Sequence, residues 1–167
     1  MPYRNKVYVA FDGDKDIHYY RLLTAWNSNS SLDFSILDAH DLNTARDSSM
    51  EETIKRRLRE RFADSKAFLL LVGESTKYLF RFVKWEIETA IRLDIPIIVV
   101  NLNKKRSRDD NRCPASVRDQ LAVHISFEMK MIGHALNDWQ DAHKSNRRSG
   151  KTGAYYYTAI EYQQLGL

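Results

Sequence analysis

Ala67-Phe68-Leu69-Leu70-Leu71-Val72-Gly73 carries no polar side chain, and Ile95-Pro96-Ile97-Ile98-Val99-Val100 repeats the pattern further along the chain. A strand with one wet face alternates apolar and polar residues. A continuously apolar run marks a strand covered on both faces, as in a parallel sheet. Pro96 belongs at the start of its strand, where a missing N–H is tolerated. Shorter apolar runs at 6–11, 33–37 and 122–127 bring the expected strands to five.

Helical spacing fills the gaps between these runs. Tyr19, Leu22, Leu23 and Trp26 form one stripe. Met50, Ile54, Leu58 and Phe62 form a second, behind a capping signal of Ser48 or Ser49 with Glu51 or Glu52 three residues on. A third helix is expected over 78–93, a short fourth over 114–121 with Pro114 in its first turn, and a last one over 128–143 that buries Ile132, Leu136 and Trp139. Alternating strands and helices imply right-handed crossovers and a doubly wound α/β sheet. Five strands in so short a span suit the flavodoxin-like order 2-1-3-4-5, with helices on both faces, rather than a closed barrel of about 250 residues. After 143 the chain turns polar and basic, then reaches Tyr155-Tyr156-Tyr157. That tail packs back, pairs with a partner or stays mobile, and the pattern does not choose among these.

The 167 residues, 43% hydrophobic and 29% charged, are ordinary for a globular protein. No apolar run approaches the roughly 18 residues needed to span a bilayer. Residues 1–6 lead into the first strand without a secretory h-region. Cys113 is the one cysteine, which rules out an internal disulfide and a multi-cysteine metal site. A reducing cytoplasm is the expected setting. The net charge is +4, and basic residues cluster at Lys55-Arg56-Arg57 with Arg59 and Arg61, at Lys104-Lys105-Arg106 with Arg108, and at Arg147-Arg148. The first alternates with apolar and acidic residues on a helix, and Asp109-Asp110 interrupts the second. Such interruption argues against a nucleic-acid partner and for a solvated face. The charge suits a phosphorylated small molecule equally well.

Ligands of open α/β sheets bind beyond the C-terminal ends of the strands, where the strand order reverses. That topology brings together the loop Phe11-Asp12-Gly13-Asp14-Lys15-Asp16, the loop opening with Asp38-Ala39-His40-Asp41, and Gly73-Glu74-Ser75-Thr76. Phe11, Asp12, Asp38, Ser75 and Glu86 are the candidate cleft residues. Each has a structural alternative: Asp12 or Asp14 caps the first helix, Asp38 holds a turn, and Ser75 or Thr76 is an N-cap. On the third helix, Leu79, Val83, Ile87 and Ala90 share a face, and Glu86 lies about 60° from its centre at Val83. Glu88 lies about 140° away and Trp85 about 160°, both toward solvent. A carboxylate at the border of an apolar stripe lines a cleft or aids solubility.

Other motifs fail. Gly150-Lys151-Thr152 resembles the end of a phosphate-binding loop, but Ser145 stands where the leading glycine is required. A phospho-receiver domain needs an aspartate after the third strand, and this chain has Val72-Gly73-Glu74. Cys113 lacks a neighbouring histidine, and His124 is a lone histidine inside a strand.

Three segments together, Lys6-Val7-Tyr8-Val9-Ala10-Phe11, Leu71-Val72-Gly73-Glu74-Ser75-Thr76 and Val83-Lys84-Trp85-Glu86-Ile87, resemble TIR domains, in particular the bacterial TIR-like proteins of Thoeris-type antiphage defence. The likeness covers about residues 5–127. It implies a TIR-like domain over 1–127 and a C-terminal helix and tail over 128–167. The glutamate of the family's W-x-x-x-E pattern is catalytic and falls on Glu86. Phe82 stands in place of the tryptophan. Phe11, Asp12, Asp38 and Ser75 fall in the loops that line the family's nucleotide pocket. The resemblance implies an NAD+ nucleosidase or cyclase. NAD+ is its substrate, and no cofactor or metal is needed. It also implies a homo-oligomer and a separate effector protein reached through a nucleotide signal. Its product, ADP-ribose or a cyclic ADP-ribose-type molecule, stays open. The alternative is a TIR-like assembly module without chemistry.

Overall fold

A computed structural model of the chain describes residues 6–28, 35–37 and 51–167, with 35–37 described through the backbone. The parallel strands follow the order expected of them. β1 (Lys6–Ala10) pairs with β2 (Ser35–Leu37) on one side and β3 (Ala67–Val72) on the other. β4 (Ile97–Asn101) and β5 (Ala122–Ser126) follow outward, giving 2-1-3-4-5. Pro96 stands just before β4, and its carbonyl accepts from the Phe68 N–H at 2.9 Å.

Alternation along β1 divides the core in two. Val7 and Val9 face α1 (Ile17–Ser28) and α5 (Met129–Arg148). Tyr8 and Ala10 face α2 (Glu51–Asp64), α3 (Val83–Arg92) and α4 (Ala115–Arg118). Ile54, Leu58 and Phe62 of α2 are buried as their spacing predicts, as are Ile132, Leu136 and Trp139 of α5. The cap expected at Ser48 or Ser49, with Met50, lies outside the described residues. No helix among the described residues is long and apolar enough to cross a membrane.

Four expectations need correction. The first helix buries Tyr20 and Leu23, while Leu22 is 42% exposed. Tyr19 and Trp26 pack at the margin against Phe127. The apolar stripe is therefore rotated from the one read in sequence. The third helix starts at Val83 rather than 78, because a 3₁₀ turn (Thr76–Tyr78) and a reversal at 79–82 precede it. The last helix runs on to Arg148 and stops where Gly150 takes a φ of 68°, a conformation that glycine adopts without steric cost. Pro114 is the N-cap of α4 rather than part of its first turn.

The tail packs back. β6 (Ala154–Tyr156) joins β5 in parallel, with His124 opposite Tyr156, so the sheet has six strands. α6 (Ala159–Gln164) follows, its first turn closed by a Thr158–Glu161 capping box. Tyr162 is fully buried, and its hydroxyl oxygen accepts from the Ser126 N–H at 3.2 Å. Residues 128–167 thus supply α5, β6 and α6 to the same sheet.

His124 has no exposed surface, and burial lowers its pKa from 6.5 to about 4. The folded state keeps the imidazole neutral while the unfolded chain protonates it below pH 6.5. Stability therefore falls as the pH drops from about 6.5 to about 4, by about 3 kcal/mol in all for this residue. Urea midpoints measured across that window should slope for the wild type. They should slope less for His124→Gln, and an unchanged slope would remove His124 as the cause.

Candidate functional site

Glu86 lies in the first turn of α3, where the helix dipole favours a negative side chain. It is only 1% exposed, well beyond the border position its helical angle predicts. A partner from the sheet permits this: the Tyr8 hydroxyl, on the α3-facing side of β1, donates to Glu86 Oε2 at 2.6 Å. A hydroxyl–carboxylate bond this short is charge-assisted. Tyr8 is itself clamped by Phe62, with ring centroids 3.9 Å apart. Glu88 is exposed and 3.9 Å from Lys84, as its angle requires.

The strand-end loops meet above β1 and β3. Asp12 Oδ1 accepts the backbone N–H groups of Asp14 and Lys15 at 3.0 and 3.2 Å, folding the loop on itself rather than capping α1. The Lys15 ammonium then reaches across to Ser75 Oγ at 2.8 Å. Thr76 Oγ1 accepts from the Gly73 N–H at 2.9 Å, which fixes the turn leaving β3. Ser75 precedes the 3₁₀ turn but makes no capping bond. Arg112 lies 3.4 Å from Glu74 on the outer rim.

Of the residues singled out in the sequence, Asp12 and Ser75 are brought together through Lys15. Glu86 lies on the α3 side of the sheet. Phe11 turns to the opposite side, in the α1–α5 core, and stacks on Tyr20 at 4.6 Å. Its ring packs inward because it continues the Val7–Val9 face of β1. Asp38 lies outside the described residues. Phe82 is 2% exposed at the N-cap of α3, beneath the Arg81 guanidinium at 5.3 Å. Cys113 is fully buried, and burial raises its thiol pKa to about 11, so it is not a thiolate near neutrality. Tyr8 and Lys15 escaped the sequence reading. Tyr8 could have been found from its register: it is the one hydroxyl-bearing residue of β1 on the side facing α3.

Residues 8–107 match the family model of the Thoeris protein ThsB, TIR-like domain. The chain belongs to this family. The match begins at Tyr8 itself and holds the last three residues of β1, all of β3 and β4, the described part of β2, the loops leaving β1 and β3, and Glu86. In this ThsB-type TIR-like domain the Tyr8–Glu86 pair thus lies inside the family-defining part, whereas β5, α5, β6 and α6 lie beyond it.

Trp85, which the helical angle directs to solvent, is half-buried against α2. It meets the Phe62 ring edge-on at 6.2 Å, with Lys55 Nζ 5.6 Å from its centroid. The neighbouring helix on the same face covers it. Trp85→Ala should therefore destabilise the isolated chain by about 2 kcal/mol, roughly half the cost of truncating a fully buried tryptophan. Urea denaturation measures this, and an unchanged midpoint would return Trp85 to an interface role.

Proposed function

We propose that this ThsB-type TIR-like domain cleaves NAD+ between nicotinamide and ribose, sending a nucleotide signal to a separate effector in antiphage defence. The observation that carries the reading is Glu86: a carboxylate buried at the head of α3, against β1 of a TIR-like sheet, and held by a phenolic hydroxyl from that strand. Buried carboxylates are expensive, and sites of chemistry are where such expense concentrates.

The chemistry asks little of the protein. As the C1′–N bond breaks, its electron pair passes to the pyridinium nitrogen, and nicotinamide leaves neutral. The leaving group needs no proton, so one carboxylate can suffice where most glycosidases use two. Glu86 stabilises the positive charge that develops on the ribose and accepts from its hydroxyls. Tyr8 fixes the direction of the carboxylate. Attack by water, with loss of its proton, yields ADP-ribose; attack from within the same molecule yields a cyclic product. NAD+ is the substrate in either case, and no resident cofactor takes part. An assembly of copies belongs to the same proposal, with specific activity that rises with protein concentration.

A second reading, assembly without chemistry, draws support from Phe82 at the tryptophan position and from the closure of Glu86 at 1% exposure.

Purified protein incubated with NAD+, with products resolved chromatographically, separates the two readings. Glu86→Gln should lower NAD+ consumption by about 10² to 10³. Its fold should be kept, because Tyr8 can donate to the amide oxygen instead. Glu88→Gln, on the solvent face, should change little. Equal losses in both variants, or full activity in Glu86→Gln, would overturn the assignment.

A further inference from the structure

Asp16 immediately precedes α1, and its carbonyl accepts from the N–H groups of Tyr19 and Tyr20 at 3.0 and 3.4 Å. An aspartate at such a position ordinarily turns its carboxylate back onto a first-turn N–H. Asp16 Oδ2 does not: it is buried and has no hydrogen-bond partner among the described residues. The side chain, 7% exposed, lies over Gly73 at the end of β3 instead. A Cβ at Gly73 would collide with both carboxyl oxygens, so the approach is open only because residue 73 is glycine.

Among the described residues, the charges acting on Asp16 come from its own loop, α1, the exit of β3 and the segment before α4. Burial raises its pKa, and Asp12 in its own loop adds to the rise, as does Glu74 beyond β3. His18 on α1 and Arg112 before α4 act the other way. An acceptor held dry and unpaired destabilises a fold, a cost that a cap or an ion pair would have avoided. It sits between the ends of β1 and β3, where the strand order reverses and open α/β sheets take their ligands. The side-chain tie across these loops, Lys15 to Ser75, is exposed and exchanges readily with water.

We infer that Asp16 is a ligand-binding residue of the switch-point site, its buried carboxyl oxygen kept to accept a hydrogen bond from a neutral N–H or O–H group of the nucleotide. The inference rests on the NAD+ reading and deepens it. It adds a second carboxylate, from the loop after β1, that orients the ligand while Glu86 serves the reacting ribose. A ligand donor entering between the two loops would displace the Lys15–Ser75 bond and pair with Oδ2.

Calorimetric titration of NAD+ into the full chain tests this without relying on turnover. Asparagine matches aspartate in size and caps helices as well, so a packing or capping role predicts an unchanged Kd for Asp16→Asn. A ligand-binding role predicts a Kd about 10-fold weaker or more, since an amide NH2 replaces a carboxyl oxygen that accepts, with the melting temperature held within a few degrees. Gly73→Ala, which pushes the carboxyl aside, should weaken binding similarly. In the unmutated chain, the Asp16 carboxyl ¹³C resonance should shift on saturation with NAD+. Equal Kd values for wild type and Asp16→Asn, or a resonance that does not move, would overturn the role of Asp16 while leaving the NAD+ reading intact. A wild type that takes up no NAD+ at millimolar concentration would overturn both.

Discussion

Every side chain of β3, from Ala67 to Val72, is shielded from water, and much of the remaining architecture serves to keep it so. A strand in this state needs a neighbour on each side for its backbone and a layer above and below for its side chains. β1 and β4 supply the first; α1 with α5, and α2 with α3, supply the second. Crossovers of one hand then leave β1 and β3 ending side by side with their chains departing to opposite faces. The opening between those departures is a consequence of covering β3, and it is where Asp12, Asp16, Lys15 and Ser75 gather.

Two carboxylates go under cover in this region, by different means. Glu86 is accommodated by a hydroxyl from the sheet and by the positive end of its own helix. Asp16 is accommodated by the absence of a side chain at Gly73, with one oxygen left unpaired among the described residues. The first arrangement is electrostatically complete in the ligand-free chain. The second leaves an acceptor for the ligand donor inferred above. Under the proposed reading, Asp16 would hold the nucleotide and Glu86 would serve the bond that breaks.

The sheet was legible because its signal is local: continuous apolar runs at 67–73 and 95–100 have few readings other than buried strands. Helix phase was less so. Tyr19, Leu22, Leu23 and Trp26 fit an apolar stripe, yet tertiary packing chose Tyr20 and turned Leu22 outward. β6 is three residues long and follows a basic loop, too brief to register as a periodic pattern. At the site, the position of Glu86 near the sheet could be read from helical geometry. Its complete burial could not, because that depends on Tyr8, a residue 78 positions away. Phe11 was read as a cleft residue from its loop, but strand alternation continues one residue past β1 and carries its ring into the core. Asp16 was read only as the last residue of its loop, because the direction of its carboxyl depends on Gly73, a residue distant in sequence.

The outer strand β6 spans only three residues, Ala154–Tyr156. A long bare outer strand would offer its unpaired backbone groups to any passing chain, the usual route to sheet extension and fibre growth. Here that margin is a stub, and the chain turns at once into a capped helix. Copies of this domain therefore have little to gain by continuing one another's sheets through β6. A contact at that end of the sheet would be stitched through α6 and its flanking loops rather than through backbone pairing.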